Sequence, residues 1–227
     1  METAISYEAE EYIEVIYRLQ KKYGMAKTKE LSETLHVVPG SITNTIEHLE
    51  RHGLVTHEPY RGVKLTNEGE KIAVDIIRRH RLAERLLTDI LKAEWSNVHE
   101  DACKLEHALT KNVASLLEER LGHPKCCPHG NPIPSENGLI EEEPCIALTE
   151  ANSGQSYIVD RIIDEKQENL RVLAEKRIKP DVHVQITKKD NQHVILQVEG
   201  KERCLDYSLA ASVFVRKTWR NSHAVEA

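Results

Sequence analysis

In the segment IIRRHRLAERLL, His80 and Glu84 stand four residues apart. On a helix that spacing puts two side chains on one face. Downstream, VHEDACKLEHAL offers His99 and then Cys103, Glu106 and His107 at i, i+3, i+4, while the first helical segment adds Glu11 and Glu14 at i, i+3. Imidazole, thiolate and carboxylate together suit a first-row transition ion such as Fe(II), Mn(II), Co(II), Ni(II) or Zn(II), whereas Ca(II) and Mg(II) prefer all-oxygen shells. Each pair also has an ordinary reading: a surface hydrogen bond for His80 and Glu84, a solvated helix face for Glu11 and Glu14, a small buried hydrophobe for Cys103. The C-x-x-E-H string is more specific, because three strong ligands converge on one turn. In KCCPHGNPIP, Cys127 and His129, with Cys126 beside them, can be a further ligand pair, a redox-sensitive thiol site or part of a rigid linker.

These residues need helices to hold them. SYEAEEYIEVIYRLQKKYG places Tyr12, Ile13, Ile16, Tyr17 and Leu19 on one broad face and ends at Gly24. KTKELSETLH, residues 27–36, is a short amphipathic helix with Leu31 and Leu35 inward, followed by the break VVPG. A second helix is expected to start at Ser41, with Ile42, Ile46 and Leu49 inward, Ser41, Thr43, Asn44 and His48 off that stripe, and Gly53 closing it. Two short helices joined by a tight break, the second polar in its first turns, fit a major-groove reader. An Asn amide can pair with adenine N6 and N7, and Ser or Thr can serve a base or a phosphate. LVTHEPYRGVKLT then reads as a β-hairpin turning at Pro59–Gly62, the wing of a winged helix, whose tip carries Tyr60, Arg61 and nearby Lys64 for phosphate contacts. Lys27, Ser41, Thr43, Asn44, Tyr60, Arg61 and Lys64 are the candidate DNA contacts. An ordinary α+β module with a solvated polar face is the alternative.

Composition sets bounds on all of this. The chain has 227 residues, 40% hydrophobic and 30% charged. That is a globular composition, long enough for two modest domains. No stretch approaches the ~18 consecutive apolar residues of a membrane span. The start, METAISYEAEEY, is acidic where a signal peptide is basic and then apolar, so a cytoplasmic protein is expected. Five cysteines are an odd number in a mid-sized chain and favour free thiols or metal ligands over a disulfide framework. Net charge is −6, and residues 1–75 carry nine Lys and Arg against thirteen Asp and Glu, so DNA binding must come from local motifs. Residues 122–144 hold five of the eight prolines and separate helix-period patterns from short alternating ones. After it, SYIVDRII, VHVQITKK and HVILQVEG read as strands, with a helix-like NLRVLAEKRI between the first two.

With these segments in hand, the chain resembles the diphtheria-toxin-repressor family of metal-dependent transcriptional regulators, in EEYIEVIYRL, the helix-turn-helix, YRGVKLTNEG, RHRLAERLLTDIL, HEDACKLEHAL and HGNPIP. The block Arg79–His107 is its most specific part. The resemblance implies a mainly α chain with a small β domain: a winged-helix DNA-binding domain over 1–75, a helical dimerisation and metal-binding domain over 76–122, a proline-rich linker over 123–144 and an SH3-like barrel over 145–227. It assigns His80, Glu84 and His99 to one metal site and Glu11, Cys103, Glu106 and His107 to another, with Glu14 as an extra carboxylate typical of the manganese branch. Cys103 is typical of iron sensors, so the pattern is a hybrid. Cys127 and His129 match a pair that some branches recruit into a secondary site, with a C-terminal carboxylate for which Asp164 and Glu168 are the candidates.

The resemblance implies a homodimeric repressor that binds double-stranded operator DNA with Fe(II) or Mn(II) as corepressor, Zn(II), Co(II) or Ni(II) serving in vitro, and controls metal-ion homeostasis genes. Fe(II) is favoured by Cys103 and Mn(II) by Glu11 and Glu14. No small organic substrate is expected. A metal-dependent hydrolase is the reading from another class, but the chain has no H-E-x-x-H string and no evident nucleophile or oxyanion arrangement, so it is not read as an enzyme. The third reading is a winged-helix regulator whose signal is thiol oxidation at Cys126 and Cys127. The C-terminal domain is left with three roles: supplying a ligand, stabilising a dimer or binding a proline-rich segment.

Overall fold

The computed structural model describes residues 5–217, in which the chain divides into two compact units. The first takes the described residues up to His80 with Lys104–Leu116 and Pro134–Ile140. The second takes Arg81–Cys103, Leu117–Ile133 and the described residues from Glu141 onward.

The first unit opens with helix α1, Tyr7–Tyr23. Ser6 caps it by accepting the Ala9 N–H at 3.2 Å, Glu8 and Glu10 sit in the first turn, and Lys21 and Lys22 sit in the last. That charge order opposes the helix dipole at both ends. Gly24 stops the helix with φ of 83°, a conformation that costs glycine little. Helices α2 (Thr28–Leu35) and α3 (Pro39–Arg51) follow, α3 burying Ile42, Ile46 and Leu49 as its spacing predicts. It starts two residues before the expected Ser41, because Pro39 at the first helical position has its φ preset and no N–H to leave unsatisfied. Strands β1 (Val55–Glu58) and β2 (Gly62–Leu65) pair antiparallel from Val55↔Leu65 to Glu58↔Gly62 and form the wing. Tyr12, Ile13, Ile16, Leu31, Ile42, Leu49, Val55, Val63 and Ile76 are the main members of the core of this unit.

Helix α4, Asn67–Arg85, carries His80 and Glu84 one turn apart and continues as a π-helical turn, Leu86–Ile90. Helices α5 (Val98–Leu105) and α6 (Lys111–Arg120) complete the helical part. In the second unit, strands β3 (Ile146–Ala147), β4 (Ser156–Ile162), β5 (His183–Lys189), β6 (His193–Val198), β7 (Lys201–Asp206) and β8 (Val213–Lys217) form one antiparallel sheet in the order β3-β8-β4-β5-β6-β7. Helix α7, Gln167–Glu175, buries Leu170 and Leu173 in the same core as Val159, Ile186, Leu196 and Val215, and the short helix α8 (Tyr207–Ala210) adds Ala210. This is the SH3-like β domain. Strands β4, β5 and β6 and helix α7 fall on the segments read from the sequence.

The wing is held close to the chain that leaves α1. Ala26 and Val63 exchange both backbone hydrogen bonds, at 3.0 and 2.8 Å. A Cβ at Gly62 would lie 2.5 Å from the Ala26 carbonyl oxygen, and Gly62 has φ of 134°. Gly62→Ala is therefore expected to lower stability by about 1–3 kcal/mol, read as a fall in the denaturant midpoint at unchanged slope; an unchanged midpoint would show that this approach is not close.

Candidate metal centre

Two groups of ionisable side chains stand out, one in each unit. In the first unit, α1 brings Glu10 and Glu14 to the turn that follows α5. His107 Nδ1 lies 2.5 Å from Glu10 Oε2, and His107 Nε2 lies 3.2 Å from Glu106 Oε1. His80 Nδ1 sits 2.5 Å from Glu106 Oε2. The Arg79 guanidinium donates to Glu10 Oε1 at 2.9 Å and to the Glu106 carbonyl at 2.6 Å, and its Nε lies 3.2 Å from Asp75. Glu14 is buried; burial raises its pKa, but the Arg18 and His80 charges outweigh that and hold its carboxyl below the usual range. Burial, helped by the Glu14 charge, pushes Glu106 up against the pull of His80.

The second unit builds its group from α4, α5, the proline-rich loop and the residues before α7. His129 Nδ1 lies 3.0 Å from Glu84 Oε1 and 3.5 Å from Glu165 Oε1, and His99 Nδ1 lies 3.1 Å from Glu165 Oε2 and 3.5 Å from Glu84 Oε1. Cys103 Sγ is 3.8 Å from His99 Nε2. Glu84, Cys127, His129 and Glu165 each offer a ligand atom, all within 4.8 Å of one another.

The loop that presents Cys127 and His129 is tied on every side. Cys127 N–H donates to the Asn131 carbonyl at 2.8 Å, and Gly130 N–H to the Cys127 carbonyl at 2.9 Å. Arg81 donates to the Pro132 carbonyl, Arg85 to that of Cys126 at 2.7 Å and Trp95 Nε1 to that of Pro128 at 2.8 Å. The Asn131 amide joins the Ile162 carbonyl at 2.8 Å to Glu165 Oε1 at 2.7 Å. Gly130, with φ of 87°, is required because a Cβ there would meet the Asp160 carbonyl oxygen at 2.1 Å. The Trp95 ring packs edge-on against the His129 ring, centroids 5.0 Å apart.

Buried thiol, imidazoles and carboxylates make a mixed donor set that fits a first-row divalent transition ion and not an alkaline-earth ion. Burial disfavours the charged form of His99, yet its hydrogen bonds with Cys103, Glu165 and Glu84 raise it to about 11. His129 is raised in the same way by Cys127, Glu165 and Glu84 against its burial. Burial and the Glu84 charge would lift Glu165, but His129 and His99 hold it well below the carboxylate range. Burial first, and the Glu84 charge second, push the Cys127 thiol up to about 12.

Helix α5 stops at Leu105; Cys103 lies on it a turn beyond His99, and Glu106 and His107 fall in the following turn, where they meet His80 and α1. Glu10 faces His107 and Arg79; Glu11, one residue along, makes no hydrogen bond or ion pair among the described residues. Before α7, the carboxylate beside His99 and His129 is that of Glu165. Asp164 instead accepts from Asn169 at 2.9 Å, and Glu168 is exposed. The candidate DNA contacts Lys27, Ser41, Thr43, Asn44, Tyr60, Arg61 and Lys64 are all exposed. Tyr60 stands at the hairpin tip with φ of 64°, and Arg61 pairs with Glu58 at 2.5 Å.

Ligation by these groups requires their neutral imidazole and thiolate forms. With His99, His129 and Cys127 all titrating above neutrality, protons must leave as a divalent ion is bound, so affinity rises with pH through the range 6–8. The expected gain is about tenfold per pH unit for each proton displaced. Calorimetry in buffers of different ionisation enthalpy counts the protons; a pH-independent affinity would remove this group as the ligand set.

Residues 4–63 match the family described as iron dependent repressor, N-terminal DNA binding domain, residues 66–135 the iron dependent repressor, metal binding and dimerisation domain, and residues 146–217 the FeoA domain. The diphtheria toxin repressor of Corynebacterium efficiens is 33% identical over 218 residues, covering 92% of this chain and 94% of its own. The iron-dependent repressor IdeR of Mycobacterium leprae is 29% identical over 224 residues, covering 92% and 96%. Among solved structures, a manganese-dependent transcriptional repressor in complex with manganese superposes with a TM-score of 0.84 at 29% identity, over 92% of this chain and 100% of that one. A helical winged DNA-binding module, a metal-binding helical module and an SH3-like sheet, matched end to end by relatives of this length, identify the chain as a member of the diphtheria toxin repressor family.

Proposed function

We propose that this chain is a homodimeric repressor that binds double-stranded operator DNA when activated by a divalent metal, Fe(II) or Mn(II), and governs genes of metal-ion homeostasis. The observation that carries the reading is the meeting of α1 with Glu106 and His107 inside the unit that also holds the recognition helix and wing. One ligand group draws on Glu14, His80, Glu106 and His107 with Glu10 or Glu11 of α1; the other draws on Glu84, His99, Cys103, Cys127 and His129 with Glu165. When bound, the ion supplies two positive charges at a point where buried carboxylates converge.

The chain's own residues then do the work. Glu10 and Glu14 fasten α1 to the turn after α5, and α1 in turn fixes α3 and the wing through their shared core. In a dimer this sets the spacing of two recognition helices to successive major grooves. Ser41, Thr43 and Asn44 face the bases, and Lys27, Tyr60, Arg61 and Lys64 face phosphates. The protein is a binding protein and not an enzyme, and it acts in the cytoplasm, where its DNA lies. Among the described residues no helix is long and apolar enough to cross a membrane. Thiol oxidation is disfavoured as the signal, because burial raises both Cys126 and Cys127 and so suppresses the reactive thiolate.

Chelator-treated protein should bind DNA selected from a random pool only after addition of Mn(II), or of Fe(II) under anaerobic conditions, with Zn(II) as a third arm. By linkage the operator should tighten metal binding by the same factor. Glu106→Ala should lose the metal effect, about 5–150-fold, while keeping its helical circular dichroism. Equal operator binding without metal, or a normal response from Glu106→Ala, would overturn the assignment.

A further inference from the structure

Helix α1 carries a second polar contact at the end away from Glu10. The Gln20 side chain accepts the Leu65 backbone N–H through Oε1 at 2.9 Å and donates through Nε2 to Glu70 Oε1 at 2.6 Å. Leu65 closes wing strand β2, and Glu70 lies in the first turn of α4. Two residues earlier in β2, the Val63 N–H goes to the Ala26 carbonyl at 2.8 Å. Alternate donors of a strand point to the same edge, so the edge of β2 away from β1 is taken by α1 and the residues that leave it. The wing is joined to the recognition helix in turn, since the His57 N–H donates to Glu50 Oε1 of α3 at 3.0 Å.

The geometry points to Gln20 as the positioning residue through which α1 sets the wing for operator DNA, a role that rests on the metal-activated repressor reading above. Glu10 and Gln20 stand on one unbroken helix about 15 Å apart. A rigid helix fixed at its Glu10 end by His107 and Arg79 has a defined position at its Gln20 end. The backbone pair of Ala26 with Val63 fixes the distance of β2 from the chain after α1. Gln20 adds a second point further along the strand, and two points set the direction of a strand where one does not. Only an amide meets both neighbours. It offers one acceptor to a backbone N–H and one donor to a carboxylate, whereas Glu would face Glu70 with like charge and Leu would leave the Leu65 N–H unmet. Neither Gln20 nor Glu70 belongs to a ligand group or to the DNA-facing set, so their effect on operator binding would pass through the wing.

The test compares wild type with Gln20→Leu, Gln20→Glu and the exchanged pair Gln20→Glu/Glu70→Gln, which restores one acceptor for Leu65 and one donor between the two side chains. For each, Mn(II) affinity is measured by calorimetry without DNA, and operator affinity with and without Mn(II) by fluorescence anisotropy. The single variants should keep wild-type Mn(II) affinity and lose about tenfold of the metal-induced tightening on operator, and the exchanged pair should recover it. If Gln20→Leu does not fold, the comparison of Gln20→Glu with the exchanged pair decides. Wild-type tightening in the single variants, a lowered unfolding midpoint as their sole defect, or an exchanged pair no better than Gln20→Glu would each overturn the role. The wild-type arm tests the repressor reading independently: metal-independent operator binding there would overturn that reading, whatever the variants do.

Discussion

Buried carboxylates cannot remain ionised without positive charge within reach, and this chain buries Glu14, Glu84 and Glu106 almost completely. In the first unit the compensation comes from Arg18, Arg79, His80 and His107; in the second it comes from protons held on His99 and His129. Everything that positions the functional surfaces is built around meeting that demand. The long helix α4 delivers an arginine and a histidine to one group and a carboxylate to the other. The proline-rich loop is bound down by three arginine and tryptophan donors so that a thiol and an imidazole reach the second group.

The same demand explains how ligand binding can be linked to shape. A proton on imidazole adds only one positive charge between two carboxylates, as on His129 between Glu84 and Glu165. A single multivalent centre draws several donors together at once, and the elements that carry them must follow. In the first unit one of those elements is α1, whose apolar face, Tyr12, Ile13 and Ile16, is packed into the core shared by the recognition helix and the wing. Displacement of α1 is therefore felt by both DNA-facing elements without any direct contact between ligand and DNA.

Much of this was legible in the sequence, and what was not has identifiable causes. Helix α1, the two short helices and the wing announce themselves by apolar spacing, by Gly24 and by the turn at Pro59–Gly62. The end of α5 does not: Leu105, Glu106, His107 and Ala108 contain no helix breaker, yet the helix stops at Leu105. Which of Glu10 and Glu11 faces His107, and which of Asp164, Glu165 and Glu168 faces His99 and His129, depends on the local direction of the backbone, which neighbouring acids in a sequence cannot signal. Strand β7 lacks the clean alternation of β5 and β6, since it buries chiefly Leu205, and β8 opens on the unbroken apolar run Val213–Val215.

The way the chain is apportioned between its units has a consequence for how such a protein can change by recombination. The family profiles run as three consecutive blocks, but the compact units are interleaved, and the backbone passes from one to the other at residues 80, 103, 116, 133 and 140. A gene fragment ending after the wing would encode α1 with Glu10 and Glu14 but without Glu106 and His107, leaving acidic side chains facing a missing wall. Grafting this DNA-reading module onto a foreign effector is thus not a matter of joining two cassettes at a seam. Helix α1 and the residues that fasten it must be inherited together.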